Sequence, residues 1–245
     1  MKARIFSDIH NEFERWSPIE LDTDSETTLF LVGDLWTGDK VQLTINWLNE
    51  LSVRFANIVL VLGNHDYWRN KYWREIPNII NQHTFANVHC LQNSSIVIEG
   101  KVISGCTLWT DLNNADPATV YGATGCTNDF MQMHVAEFKT KDWLEEFQKS
   151  KEFLCSPADI VLTHYMPSSS FTDPKFKGSF CNPLFSSDLV EYMVNHYIPM
   201  PNYWIYGHTH TAGRAKILNT EFICNPRGYP GENNKFDEES FYEFT

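Results

Sequence analysis

The chain has 245 residues, 42% of them hydrophobic and 14% aromatic, and its formal net charge is −12. This composition supports one sizeable core and excludes a disordered protein. The negative charge argues against a wide nucleic-acid groove, so polymeric nucleic acid is not an expected partner. No apolar run approaches the ~18 residues that cross a bilayer, and the N-terminus lacks the apolar region of a secretion signal. We therefore predict a single domain over residues 1–245, in the cytoplasm and without membrane contact.

Short apolar runs predict buried strands, each of which ends in a polar turn. The five clearest runs are residues 3–6, 28–32, 58–62, 159–163 and 203–206. Helical spacing of apolar side chains predicts helices at 41–55, 141–154 and 188–197, the last with Ser187 as its N-cap. A hairpin around Glu99 and Gly100 and a strand from residue 221 complete the pattern. The mixture indicates an α/β fold in which sheet packs on sheet and helices cover the outside.

Two long stretches, residues 107–139 and 165–186, have only weak periodicity. Loops of that length inside a compact domain are often functional, and these two follow a strand end and a histidine. We expect them to form walls of a site, with surface decoration as the alternative.

The six cysteines lie far apart and include no C-x-x-C pair. That spacing fits neither a zinc ribbon nor a small disulfide scaffold. Several of them fall in strand-like apolar runs, which predicts buried free thiols in a reducing compartment.

Potential metal ligands follow the predicted strands, and the glycines among them allow the chain to turn sharply there. In an extended segment, residues two apart project to the same side. Carboxylate, amide and imidazole donors at neighbouring strand ends therefore suggest a metal centre. The candidates are Asp8, His10, Asp34, Asn64, His164, His208 and His210.

The ordered series D-x-H, G-D, G-N-H-D, H and G-H-x-H resembles the calcineurin-like metallophosphoesterase superfamily. The matching positions run from Asp8 to His210 and so cover most of the chain. The resemblance implies a two-sheet β-sandwich flanked by helices. It also implies two divalent metal ions bridged by Asp34, one held with Asp8, His10 and His210, the other with Asn64, His164 and His208. Mn²⁺ is the expected metal, and Fe, Zn, Ni or Mg are alternatives.

The same resemblance implies that a hydroxide bridging the two metals attacks the phosphate ester. His65 then corresponds to the general acid that protonates the leaving group, and Asp66 to the carboxylate that orients it. The alternative role for Asp66 is a helix N-cap.

One departure from the family concerns the substrate. Protein serine/threonine phosphatases of the superfamily follow G-D with V-D-R-G, whereas this chain reads GDLWTGD and lacks that arginine. The chain is more similar to the small bacterial and phage-type phosphoesterases. Candidate substrate contacts are Arg227 as a phosphate clamp, Trp36 and Trp109 as stacking surfaces, and Asp111. The alternatives are a loop-tying arginine and tryptophans that seal the core.

We predict hydrolysis of a small phosphorylated substrate, preferably a phosphodiester of nucleotide type. A phosphomonoesterase or a protein phosphatase is the alternative. A non-catalytic scaffold is disfavoured because every motif position is filled. The sequence does not indicate an oligomeric state.

Overall fold

The computed structural model describes residues 1–233 and 235–245. Its strands, in chain order, are β1 Lys2–Phe6, β2 Thr28–Val32, β3 Asn57–Val61, β4 Val88–Cys90, β5 Ser94–Ile98, β6 Lys101–Cys106, β7 Ile160–Thr163, β8 Tyr203–Tyr206, β9 Gly213–Ile217, β10 Thr220–Cys224 and β11 Tyr242–Glu243. The strands that the sequence predicted are present, with ends shifted by at most one residue. β4, β9 and β11 were not predicted.

The strands form two mixed sheets. The first has the order β11-β1-β2-β3-β4, in which β1 to β4 are parallel and β11 is antiparallel. The second has the order β5-β6-β7-β8-β10-β9, with β6, β7, β8 and β10 parallel. The predicted hairpin joins β5 to β6, and Glu99 and Gly100 both have the positive φ of a tight two-residue turn.

The sheets pack face to face around one apolar layer, and helices cover their outer faces. On β2, Phe30 and Val32 point into the layer between the sheets, whereas Leu29 and Leu31 belong to the larger core under the helices. This alternation explains why all five residues of β2 are buried, since both of its faces are covered. The predicted sandwich flanked by helices is confirmed.

The main helices are Val41–Ser52, Ile76–His83, Pro117–Cys126, Thr140–Leu154 and Leu189–Asn195. The three predicted helices are among them. The last begins one residue later than expected, after Asp188, so the N-cap predicted at Ser187 is wrong. No helix within 1–233 or 235–245 is long and apolar enough to cross a membrane.

Two of the six cysteines differ from the prediction of free thiols. Cys126 and Cys181 form a disulfide that joins the helix Pro117–Cys126 to the 165–186 stretch, with their Cα atoms 5.5 Å apart. The other four are free, and Cys90, Cys106 and Cys224 are buried as expected. The two long irregular stretches are therefore covalently linked to each other.

Candidate metal centre

The carboxyl ends of β1, β2, β3, β7 and β8 carry the predicted ligands into a common site. Five of these ligands have a left-handed backbone, with φ between 48° and 66°: Asp8, His10, Asp34, His208 and His210. Gly33 and Gly63 make this crowding possible, because a Cβ on Gly63 would overlap the Asp34 carboxylate and one on Gly33 would overlap the His164 ring. The sharp turns after β1, β2 and β8 thus direct these five donors at one another.

Asp8, His10 and His210 form one group of donors within 4.8 Å of one another. The Nε2 atoms of His10 and His210 are 3.1 Å apart, and His210 Nε2 lies 3.4 Å from Asp8 Oδ1. Two imidazole nitrogens and a carboxylate converging in this way match the donor chemistry of a transition-metal ion.

Asp34, His164 and His208 form an adjacent group, whose donor atoms also lie within 4.8 Å of one another. His164 Nε2 lies 3.2 Å from both His208 Nδ1 and Asn64 Oδ1, and 3.5 Å from Asp34 Oδ1. The other oxygen of Asp34, Oδ2, lies 3.6 Å from His10 Nε2 in the first group. Asp34 therefore stands between the groups with one oxygen facing each.

Hydrogen bonds on the outer side of the centre fix the orientation of the imidazole rings. The Nδ1 atom of His10 is 2.9 Å from Glu12 Oε1, and that of His210 is 2.6 Å from Glu232 Oε2. His164 uses its Nδ1 to donate to the Val32 carbonyl oxygen at 2.9 Å. With Nδ1 donating outward, Nε2 is the nitrogen of each ring that faces inward and would bind a metal ion, as in established metal sites.

Asn64 is oriented in the same manner. Its Nδ2 donates to Asp129 Oδ1 at 2.8 Å, and the indole of Trp68 donates to the same oxygen at 2.6 Å. This leaves Asn64 Oδ1 directed at the centre, where a neutral amide oxygen can serve as a ligand. The donor set fits divalent metal ions, because all seven predicted ligands are brought together and the Asn64 amide and three of the four imidazoles are held by outer hydrogen bonds.

The pKa shifts of the site residues also favour the binding of a divalent cation. Burial raises the pKa of Asp34 well above its usual range, and the nearby Asp8 and Asp66 carboxylates add to the effect. Burial lowers the pKa of His164 and of His208, which keeps both imidazoles neutral and able to bind a cation. A divalent cation would favour the ionised form of Asp34 and so resolve the repulsion among these carboxylates.

Asp8 and His210 form a charged pair on the other side of the centre. Burial opposes the ionisation of Asp8, but the hydrogen bond and positive charge of His210 outweigh it and lower the pKa of Asp8. Burial also opposes the charge on His210, yet Asp8 and Glu232 raise its pKa to about 9. Without a metal ion, Asp8 and His210 therefore stabilise each other's charged forms.

His65 lies at the edge of both groups. Its ring stacks on Trp68, with the centroids 3.5 Å apart, and its Nδ1 is 2.8 Å from Glu12 Oε1. Its Nε2 faces Asp34 Oδ2 at 3.9 Å. The carboxylate that contacts His65 is therefore Glu12, which also contacts His10 and whose pKa is lowered to about 2 by these two histidines against the effect of burial.

Asp66 does not contact the His65 ring, contrary to the role that the resemblance implies. Its carboxylate accepts the backbone N–H groups of Gly63, Asp34, Leu35 and Trp36 at 2.8 to 3.2 Å. It is not a helix N-cap either, because the residue in that position is Asn64. Asp66 ties the turn after β2 to the turn after β3 and so fixes the backbone of Asp34.

Arg227 is engaged by the protein itself. Its guanidinium donates to the carbonyl oxygens of Ile9 and Glu14 at 2.7 and 3.1 Å, and to Glu14 Oε2 at 2.7 Å. This arrangement corresponds to the loop-tying alternative, so the expected phosphate clamp is not supported.

The other expected substrate contacts are also directed elsewhere. Trp109 is completely buried among aromatic side chains, and Trp36 is 7% exposed and packs on Trp47. Both tryptophans therefore seal the core, which is the alternative to a stacking surface that the sequence left open. Asp111 accepts the Asn113 N–H at 3.0 Å and lines a separate cavity.

Sequence reasoning missed three carboxylates of the site. Glu12 follows His10 at the same two-residue spacing that relates Asp8 to His10, which could have identified it. Asp129 and Glu232 lie in segments without any pattern, and only the folded chain brings them to Asn64 and His210.

Residues 1–212 match the sequence model of the calcineurin-like phosphoesterase family, and the chain belongs to that family. The family and the two groups of donors support metal-dependent hydrolysis of phosphate esters as the activity of this chain. The uncharacterized protein L509 of Acanthamoeba polyphaga mimivirus is 24% identical to this chain over 241 residues, covering 88% of this chain and 83% of the relative. The crystal structure of phosphopantetheinyl hydrolase from Mycobacterium tuberculosis aligns with a TM-score of 0.72 at 15% identity, covering 94% of this chain and 90% of that one. At that identity, the likeness concerns the fold.

Proposed function

We propose that the protein is a binuclear metallophosphoesterase that prefers small phosphodiesters. The observation that carries the proposal is Asp34, whose two oxygens face two adjoining groups of donors. One ion would be held by Asp8, His10, Asp34 and His210, the other by Asp34, Asn64, His164 and His208. When bound, two divalent ions supply Lewis acidity that activates water and offsets charge on the phosphate. Mn²⁺ suits this mixture of carboxylate, amide and imidazole donors.

His65 is proposed as the general acid. Glu12 accepts its Nδ1 proton in a hydrogen bond, so Nε2 is the atom that can deliver a proton to the leaving oxygen. Trp68 restricts the ring by stacking, and Asp66 holds the neighbouring backbone. The orienting role expected of Asp66 is thereby assigned to Glu12.

The preference for diesters is supported by charge. A phosphodiester carries one negative charge, whereas a monoester carries close to two at neutral pH. The centre is flanked by the carboxylates of Glu12 and Glu232, and Arg227 is already paired with Glu14. The less charged substrate therefore meets less repulsion. A phosphomonoesterase is the second candidate, and a protein phosphatase is less compatible because the arginine of that branch has no counterpart.

We further propose that residues 1–245 form one domain and act in the cytoplasm. The single domain is supported by β11, which returns the C-terminal segment to β1. The cytoplasmic location is supported by the four free thiols. In a reducing compartment the Cys126–Cys181 bond would be labile, and quenched thiol labelling of the protein in cell extracts would measure its state.

The experiment that tests the proposal compares bis(4-nitrophenyl) phosphate with 4-nitrophenyl phosphate, with added Mn²⁺ and with chelator. We expect faster turnover of the diester and its loss with chelator. Faster turnover of the monoester would favour the second candidate. No turnover of either substrate by protein with metal demonstrably bound would contradict the proposed function.

A further inference from the structure

A cavity of about 300 Å³ opens directly beside the metal centre. His208 and His210 form one end of it, and the 165–186 stretch and the Cys126–Cys181 disulfide form the walls. The ring of Phe185 stacks on His208 with the centroids 5.0 Å apart, so the wall is in contact with a candidate metal ligand. A substituent on a phosphate held at the centre can therefore enter the cavity without leaving the site.

The lining surface is mainly apolar, and its apolar groups are Phe176, Phe185, Met166 and the Cys126–Cys181 disulfide. Its volume lies at the lower end of the range of ~300–1,000 Å³ typical of pockets for organic ligands. Phe176 is 51% exposed, so part of its ring is available to contact a bound group. The cavity thus suits one compact apolar group.

The charges in the cavity disfavour an anionic substituent. Lys175 supplies the only Lys or Arg side chain among the described residues that line it. Its Nζ lies 3.5 Å from Asp173 Oδ2 and 4.8 Å from the centroid of the Phe176 ring, so its charge is already balanced. Glu232 adds a further carboxylate at the end nearest His210. A second phosphate group in this cavity would be repelled.

We propose that this cavity is a selectivity subsite that binds a neutral, apolar or aromatic ester arm of the substrate. The proposal rests on the proposed function, because the arm is defined by its attachment to a phosphate at the metal centre. It narrows the substrate class to diesters that carry one compact uncharged group, and it excludes nucleoside di- and triphosphates whose distal phosphates would enter this cavity.

The test measures binding by calorimetry, without turnover, to Mn²⁺-loaded protein under non-reducing conditions. The probes are two monoanions that lack a hydrolysable ester bond, methyl(2-phenylethyl)phosphinate and dimethylphosphinate, called the phenylethyl and the methyl probe, which differ only in the arm. We expect the phenylethyl probe to bind about 10-fold more tightly, the effect of burying most of one aromatic group. Equal binding of the two probes would overturn the proposal.

A matched pair of variants locates the effect. Phe176→Ala should reduce the difference between the two probes to about 2-fold, whereas Phe85→Ala should leave it unchanged. Phe85 is similarly exposed, at 57%, and lines a different cavity. A preference that survives Phe176→Ala would contradict the subsite. Turnover of bis(4-nitrophenyl) phosphate tests the proposed function separately. Inactivity in that assay would contradict the function, whereas equal binding of the two probes would contradict the subsite alone.

Discussion

The strand-end centre and the wall of the cavity are built in different ways. In the centre, short turns place donors directly after strands, and outer hydrogen bonds fix the candidate ligands Asn64, His10, His164 and His210 in place. The wall comes from two long irregular stretches, carries half-exposed aromatics such as Phe176, and is joined by a disulfide. The chemistry therefore depends on local backbone geometry, whereas selectivity depends on contacts between distant segments.

The most severe way to break the centre alone is Asp34→Asn, which removes the charge that both groups of donors share. We expect diesterase activity to fall by about 10³-fold or more with the fold retained. Activity assays with saturating Mn²⁺ and circular dichroism check this, with Asp39→Asn in the same loop as the control. Retained activity in Asp34→Asn would refute a bridging role.

Glu12→Ala separates proton delivery from metal binding. An alkyl leaving group needs a proton, whereas 4-nitrophenolate leaves without one, so we expect a loss of about 10²-fold only for alkyl esters. His65→Ala should give the same pattern, and the double variant should be little worse than either single one. If Glu12→Ala slows both substrates equally at saturating metal, Glu12 acts through His10 instead.

Asp66→Ala tests whether the Asp66 carboxylate stabilises the turns after β2 and β3. Four backbone N–H groups would lose their acceptor, and we expect the free energy of unfolding to fall by about 2 kcal/mol. Denaturant unfolding measures this, and Glu12→Ala provides the comparison, since Glu12 accepts no backbone N–H that would be left unpaired. An unchanged stability in Asp66→Ala would show that the turns after β2 and β3 hold each other without it.

The mildest change affects the wall alone. In the double variant Cys126→Ser/Cys181→Ser, the two stretches are no longer linked, and we expect about 3-fold weaker binding of the phenylethyl probe from the greater freedom of the wall. Binding of the methyl probe and diester turnover should not change. Equal weakening of both probes would place the effect at the centre rather than in the cavity.

The same contrast explains what the sequence could predict. His10 and Asp34 are identifiable because their roles follow from a strand, a turn and a two-residue spacing. The resemblance implied that Asp66 orients His65, its neighbour in the sequence. Neighbouring residues in a turn direct their side chains differently, however, and the Asp66 carboxylate reaches backbone groups instead. The pairing of Cys126 with Cys181 across 55 residues has no local signal at all.

Arg227 illustrates a further limit. An arginine after a strand near a phosphate site is a reasonable clamp, but its partner Glu14 lies more than 200 residues earlier in the chain. Whether a charged side chain is free or already paired depends on tertiary contacts that a linear pattern does not contain.

The left-handed backbone of the ligand residues has a consequence for the evolution of the protein. Each such conformation costs a non-glycine residue on the order of 1 kcal/mol, and five occur together here, among carboxylates that repel one another. Replacing Asp8 or Asp34 by asparagine, which tolerates that conformation better, would relieve both burdens in the metal-free chain. Selection for stability alone would therefore favour such replacements, so the backbone strain and the charge repulsion at these strand ends are a stability cost that a metal site would explain.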